Sequence, residues 1–215
     1  MKNKKYFLIF LTLIILGFVI AIRFSNTEDA WICENGSWVK HGNPSEEKPN
    51  TPCKINGVEK NDGVVGSDKF EINLPHGWYK LDKPVAGVDM MITNGEEEPN
   101  EEATKKINFR TYYAITHVSW DKTIDEYVLV YEKQIKSAIK NIEIVNTQKG
   151  EVNGYEARFL DLKLNQMDIN FKVFVSIIKG KNGDVWIFSF NTTDQYWSKY
   201  EGFVSDLLKT FKLKD

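Results

Sequence analysis

The chain has 215 residues, with 28 basic and 30 acidic side chains and 13% aromatics. Setting aside Lys2, Lys4, Lys5 and Arg23, which flank an N-terminal apolar run, leaves 24 basic against 30 acidic residues, a net charge of −6. That balance argues against a nucleic-acid partner, which needs a basic face, and gives no attraction to an anionic membrane surface.

Residues 6–22 carry no charge, and only Thr12 and Gly17 interrupt the large apolar side chains. Seventeen residues at ~1.5 Å each make a helix of about 25 Å, just long enough for the hydrocarbon layer. Lys2, Lys4 and Lys5 in the tail 1–5 keep the N-terminus cytoplasmic and send the bulk of the chain to the outer face of the cell membrane. The exit Ala21-Ile22-Arg23-Phe24-Ser25 is a poor cleavage site. The segment 6–24 therefore reads as a single-pass signal anchor, the alternative being a cleaved signal peptide.

Residues 25–57 form a juxtamembrane segment containing both cysteines, Cys33 and Cys53. An oxidising compartment favours one disulfide between them, and closing a loop of about 20 residues contributes roughly 3 kcal/mol. The competing metal reading, Cys33 with His41 and Cys53, fits no familiar zinc spacing and lacks a fourth ligand. Asn35-Gly36 between Trp31-Ile32-Cys33 and Trp38-Val39 predicts a tight hairpin. Trp31 and Trp38 are read as packing over the bridge or sitting near the membrane, with sugar stacking as the functional alternative. Residues 58–68 read as a linker.

The domain 69–215 opens with the alternation Phe70, Ile72, Leu74, then the turn Pro75-His76-Gly77-Trp78. Residues 88–93 form a short strand. The run 94–102, with five carboxylates in seven residues, lacks EF-hand spacing and reads as a solvated loop tip rather than a calcium site. Residues 107–119 are expected to be one long strand. Thr123 and Glu126 form a capping box, and Ile124, Tyr127, Val128, Tyr131, Ile135, Ala138 and Ile139 recur at helical spacing. Strands follow at 142–148, 155–164, 167–179 and 185–190, with turns at Asn153-Gly154 and at 181–184. Short turns make consecutive strands antiparallel. Thr192 to Gln195 offers a second capping box, and Tyr196, Tyr200, Phe203, Val204, Leu207, Leu208 and Phe211 form the stripe of a closing helix.

The expected class is α+β: a central antiparallel sheet of about six strands flanked by two main amphipathic helices, an α/β/α sandwich, preceded by the transmembrane helix. Phe70-x-Ile72-x-Leu74-Pro75-x-Gly77-Trp78, the turn Asn153-Gly154-Tyr155-Glu156-Ala157, and the aromatic strand before a helix ending at Phe211 resemble PsbP-like domains over about residues 68–213. That superfamily includes an extrinsic subunit of photosystem II and a Ran-binding protein of the Mog type. The resemblance implies a central antiparallel sheet with helices on its faces, and it carries over no metal or partner residue.

No nucleophile elbow, Walker loop or H-E-x-x-H is present, and no cofactor or metal is implied. Of His41, His76 and His117, the last, near Asp121, is the best candidate for acid–base work. Asn35 and Asn191 head glycosylation patterns read as incidental. The functional expectation is a membrane-anchored, extracytoplasmic, non-catalytic binding domain for a protein or envelope component. The alternatives are a lipid or small-ligand carrier with a cavity between sheet and helix, or an envelope hydrolase.

Overall fold

A computed structural model describes residues 30–34, 37–41, 47–50, 63–82, 84 and 87–214. The anchor 6–24 and Cys53 lie outside the described residues, as does the side chain of Cys33, so the bridge and the metal alternative fall outside them too. Among the described residues, no helix is long and apolar enough to cross a membrane.

In the juxtamembrane segment, β1 (Ala30–Glu34) pairs antiparallel with β2 (Ser37–His41), and the register Glu34↔Ser37 leaves two residues for the turn. Beyond it, β3 (Gly63–Gly66) falls inside the stretch read as linker and pairs with β4 (Phe70–Leu74).

The main sheet has seven strands, all antiparallel. They are β5 (Trp78–Lys80), β6 (Met90–Asn94), β7 (Tyr112–Ser119), β8 (Glu143–Val152), β9 (Tyr155–Gln166), β10 (Ile169–Lys179) and β11 (Asp184–Thr193). Their order across the sheet is β5-β6-β7-β11-β10-β9-β8. The first strand of the domain, β4, does not join it. It lies in a separate small sheet between β3 and the C-terminal β12 (Lys212–Leu213). The expected six-stranded sheet is thus a seven-stranded one with a three-stranded sheet packed against it.

Period-2 alternation sends the two halves of each strand to different cores. Leu160, Leu162 and Leu164 of β9, with Phe171, Val173, Val175 and Ile177 of β10, pack with Ile124, Tyr127, Tyr131 and Ile135 of α2 (Ile124–Ala138). On the opposite face, Tyr113, Ile115, Trp186, Phe188 and Phe190 meet β4 and Tyr200, Val204, Leu207 and Leu208 of α3 (Asp194–Lys209). A sheet between two helical layers is the expected sandwich, with the small sheet sharing one layer.

Turn chemistry explains several boundaries. Asn153 (φ 50°) and Gly154 (φ 82°) make the β8–β9 turn in the left-handed region that hairpins require. The β9–β10 turn uses Met167 (φ 53°) and Asp168 (φ 60°), which the sequence reading placed inside a strand. The expected long strand 107–119 starts only at Tyr112, because the short helix α1 (Glu102–Lys106) and Asn108 at φ 45° break the extended backbone before it. Phe109 therefore leaves the alternation and joins the α2 core.

The Thr123–Glu126 capping box forms, with Thr123 Oγ1 accepting from the Glu126 N–H. The second box does not. Strand β11 continues through Thr193, Thr192 spends its hydroxyl on Thr111 at 2.7 Å, and Thr193 caps α3 without a side-chain bond.

Candidate functional site

Helix α3 packs against β11, β10 and β4. It covers the outer part of that sheet face less fully, although Val152 of β8 and Ala157 of β9 still join its core. The result is a groove of about 360 Å³ between α3 and the sheet. Its floor is aromatic: Phe159 of β9 and Phe174 of β10 stack at 5.9 Å with an interplanar angle of 19°. Trp197, Val204 and Leu208 of α3 form the opposite bank. A smaller hollow continues past Trp197 towards Lys163 and Lys172, where Lys172 Nζ lies 4.1 Å from the Trp197 ring centroid. Phe159, Phe174 and Trp197 are only partly buried, so these rings keep a face open.

The same alternation that builds the α2 core makes this groove. With Leu160 and Leu162 turned towards α2, Phe159 and Asp161 must face α3. Asn153 closes one end. Its amide donates to the Lys209 carbonyl at 3.0 Å and to the Phe211 carbonyl at 2.6 Å, so the β8–β9 turn satisfies orphan carbonyls at the end of α3. The sequence raised a cavity between sheet and helix only for the carrier alternative and named none of its residues. Trp197 sits one residue off the apolar stripe of α3, and that aromatic on the helix's polar flank, with Asp161 breaking β9, was the available signal.

The acidic loop is not simply a solvated tip. Glu97 is 3% exposed, and its Oε1 accepts from the Thr111 N–H at 2.7 Å and the Thr111 hydroxyl at 2.9 Å. The Tyr200 hydroxyl donates to Oε2 and accepts from Asn94 Nδ2 at 2.7 Å. Those donors satisfy the buried Glu97 side chain and tie the loop to β7 and α3. Burial and, next, the Glu97 bond raise the Tyr200 pKa.

His117 is paired with Asp89, not Asp121. Its N–H donates to Asp89 Oδ2 at 2.8 Å, and Nδ1 lies 2.8 Å from the same oxygen. The ring stacks on Trp186 at 4.9 Å, and Nε2 lies 3.0 Å from Lys69 Nζ. The imidazole is thus oriented by the Asp89 side chain, and its second nitrogen meets the Lys69 amine. His76 is on the surface, 3.6 Å from Glu96. Asn191 is buried and bonded to Ser189, closed to a glycan. Among the described residues, no group of three or more His, Cys, Asp or Glu side chains could hold a metal.

No protein-family model and no curated protein matches the chain. Solved structures do match. PsbP (CyanoP) of Synechocystis sp. PCC 6803 matches with a TM-score of 0.54 and 16% identity, over 78% of this chain and 100% of that one. LpqN of Mycobacterium tuberculosis, described as involved in cell envelope biogenesis, matches with a TM-score of 0.51 and 11% identity, over 68% of this chain and 83% of that one. The Saccharomyces cerevisiae Ran-binding protein Mog1p covers 68% of this chain and 90% of its own at 10% identity, and its TM-score of 0.47 is too low to carry weight. At such identities the likeness concerns the backbone alone, and the described domain has the PsbP-like fold.

Proposed function

We propose that this protein is a membrane-tethered, extracytoplasmic, non-catalytic binding domain, and that its partner, a protein or envelope component, docks in the groove beside α3. The groove carries the reading: partly exposed Phe159, Phe174 and Trp197 line a concave surface of about 360 Å³, within the range of binding pockets. The uncharged run 6–22 with lysines before it supports the tether, and the oriented but nucleophile-free His117 gives no support to a hydrolase. A carrier of small apolar ligands is less well supported, because Glu151, Asp161 and Glu201 also line the groove.

The test places a photo-crosslinking side chain at exposed Ser205, on the groove wall, in whole cells making the full chain. A discrete crosslinked species is expected, absent when the same group replaces Leu129, 68% exposed on α2. No product at Ser205, or the same product at both positions, refutes the groove. A membrane-impermeant amine label added outside the cells should reach the domain. Labelling only after lysis refutes the topology.

A further inference from the structure

Away from the groove, His117 of β7 sits between a carboxylate and an ammonium. Its Nδ1 lies 2.8 Å from Asp89 Oδ2 and 2.9 Å from Oδ1, just before β6. A carboxylate only accepts, so Nδ1 carries the proton of that contact. Nε2 lies 3.0 Å from the Nζ of exposed Lys69, just before β4. Lysine is a far stronger base than imidazole, so the proton here sits on Nζ. An ammonium cannot accept, and Nε2 must therefore be bare and accepting. Both partners assign the same form: a neutral ring with its proton on Nδ1.

The contact crosses from one sheet to the other. His117 and Trp186, opposite each other in the ladder, belong to the main sheet, and their rings stack at 4.9 Å. Lys69 opens β4, the middle strand of the small sheet, and its carbonyl accepts from the Lys214 N–H at 2.8 Å. The charged groups gathered at this point are Asp89 and Lys69 themselves, Asp184 of β11, Lys181 and Lys214. Asp184 accepts from the Trp186 indole N–H at 3.1 Å. With Lys69, Lys181 and Lys214 it lines a hollow of about 230 Å³.

We propose that His117 is an acid-sensitive latch between the two sheets, in which a proton and the Lys69 ammonium compete for the Nε2 lone pair. Histidine is the side chain that ordinarily changes charge between about pH 5 and 8. Above that change Nε2 accepts from Lys69, and the latch is closed. Below it, imidazolium and ammonium meet as two donors of like charge, and Lys69 leaves. Asp89 keeps the charged ring in place as an ion pair, so the proton is accommodated without moving β7. The freed ammonium turns into the neighbouring hollow, where Asp184 supplies the opposite charge. The small sheet is then tied to the main one by its apolar contacts alone at this point. The device is separate from the groove and does not depend on what docks there.

The full chain in detergent micelles, with histidine isotope-labelled, is titrated by NMR from about pH 8 to 5, beside Lys69→Met and His117→Gln. At the alkaline end the ring nitrogens of His117 should report a proton on Nδ1. Lys69→Met removes the competitor and should raise the His117 midpoint by about half a unit or more, leaving exposed His76 unmoved. Amide exchange, corrected for its intrinsic pH dependence, should quicken at least about threefold in residues 63–69 and 212–214 below the midpoint. In Lys69→Met it should be fast at both ends of the range, and in His117→Gln it should not change with pH. Lys69 is exposed, so its variant should keep the wild-type circular dichroism. A proton on Nε2 at the alkaline end, a midpoint unmoved or lowered in Lys69→Met, or quickening that persists in His117→Gln overturns the proposal.

Discussion

Tyr200→Phe removes one oxygen from a buried network and nothing else. The hydroxyl donates to Glu97 Oε2 and accepts from Asn94 Nδ2, and all three residues are buried, at 3%, 3% and 6% exposure. Without it, a carboxylate oxygen and an amide N–H are left buried and unpartnered. Stranding such groups costs about 1–3 kcal/mol each, so a loss of about 3 kcal/mol is expected. For a domain of this size that lowers Tm by about 6–12 °C, using ~2–4 °C per kcal/mol. Calorimetry and urea unfolding of the full chain measure it. Tyr196→Phe is the control: its hydroxyl donates to the Glu98 carbonyl in an exposed bond, and its loss should be within about 0.5 kcal/mol. Because the Tyr200 pKa is raised in the folded state, its contribution is complete below the unfolded value of about 10 and is lost as pH rises further. The variant should therefore show a shallower alkaline fall in stability. A Tm drop below about 2 °C, or one equal to the Tyr196→Phe control, would refute the claim that this network secures the acidic loop.

Three further outcomes follow from the geometry. Asn153→Ala deletes two bonds to the end of α3 and places alanine at φ 50°, so a loss of about 2–3 kcal/mol is expected in urea unfolding; an unchanged midpoint would show that the β8–β9 turn does not hold α3. Thr123→Ala should cost about 1 kcal/mol through its cap, whereas Thr193→Val should change stability by less than about 0.5 kcal/mol, because the buried Thr193 hydroxyl has no hydrogen-bond partner among the described residues; equal losses at both sites would contradict the capping assignment. The Arg158 side chain, followed by Lys149, lowers the Asp125 pKa to about 2, so that contribution to stability is present above the ordinary carboxylate range and fades as pH falls through about 2. A carboxyl titration by NMR should find the midpoint there and find it raised in Arg158→Met; an ordinary midpoint in the unmodified protein would show that the pair does not form.

Alternation and turn residues made most strands and both long helices legible. Phe70-x-Ile72-x-Leu74, the Leu160-to-Leu164 series and the Asn153-Gly154 turn depend on neighbours close in the chain, and such local geometry repeats with a fixed period. The capping box at Thr123 belongs to the same class. The Met167-Asp168 turn did not, since Asp168 alone, beside a Met, is a weak sign of a left-handed backbone, and the pairing of β9 with β10 imposes it.

Composition, the apolar run 6–22 and periodicity by themselves determined a sheet-and-helix domain behind an expected anchor. Only the tertiary structure decided which strand joined which sheet, that Glu97 turned inward, that His117 met Asp89, and that α3 covered β8 and β9 less fully than β11 and β10. Each of these depends on groups far apart in the chain. Glu97 and Tyr200 are 103 residues apart, and the position of α3 over β11 and β10 reflects the packing of a whole apolar stripe. Sequence periodicity reports which face of an element is apolar. It carries no information about how far a covering helix reaches, and that reach is what opens the groove.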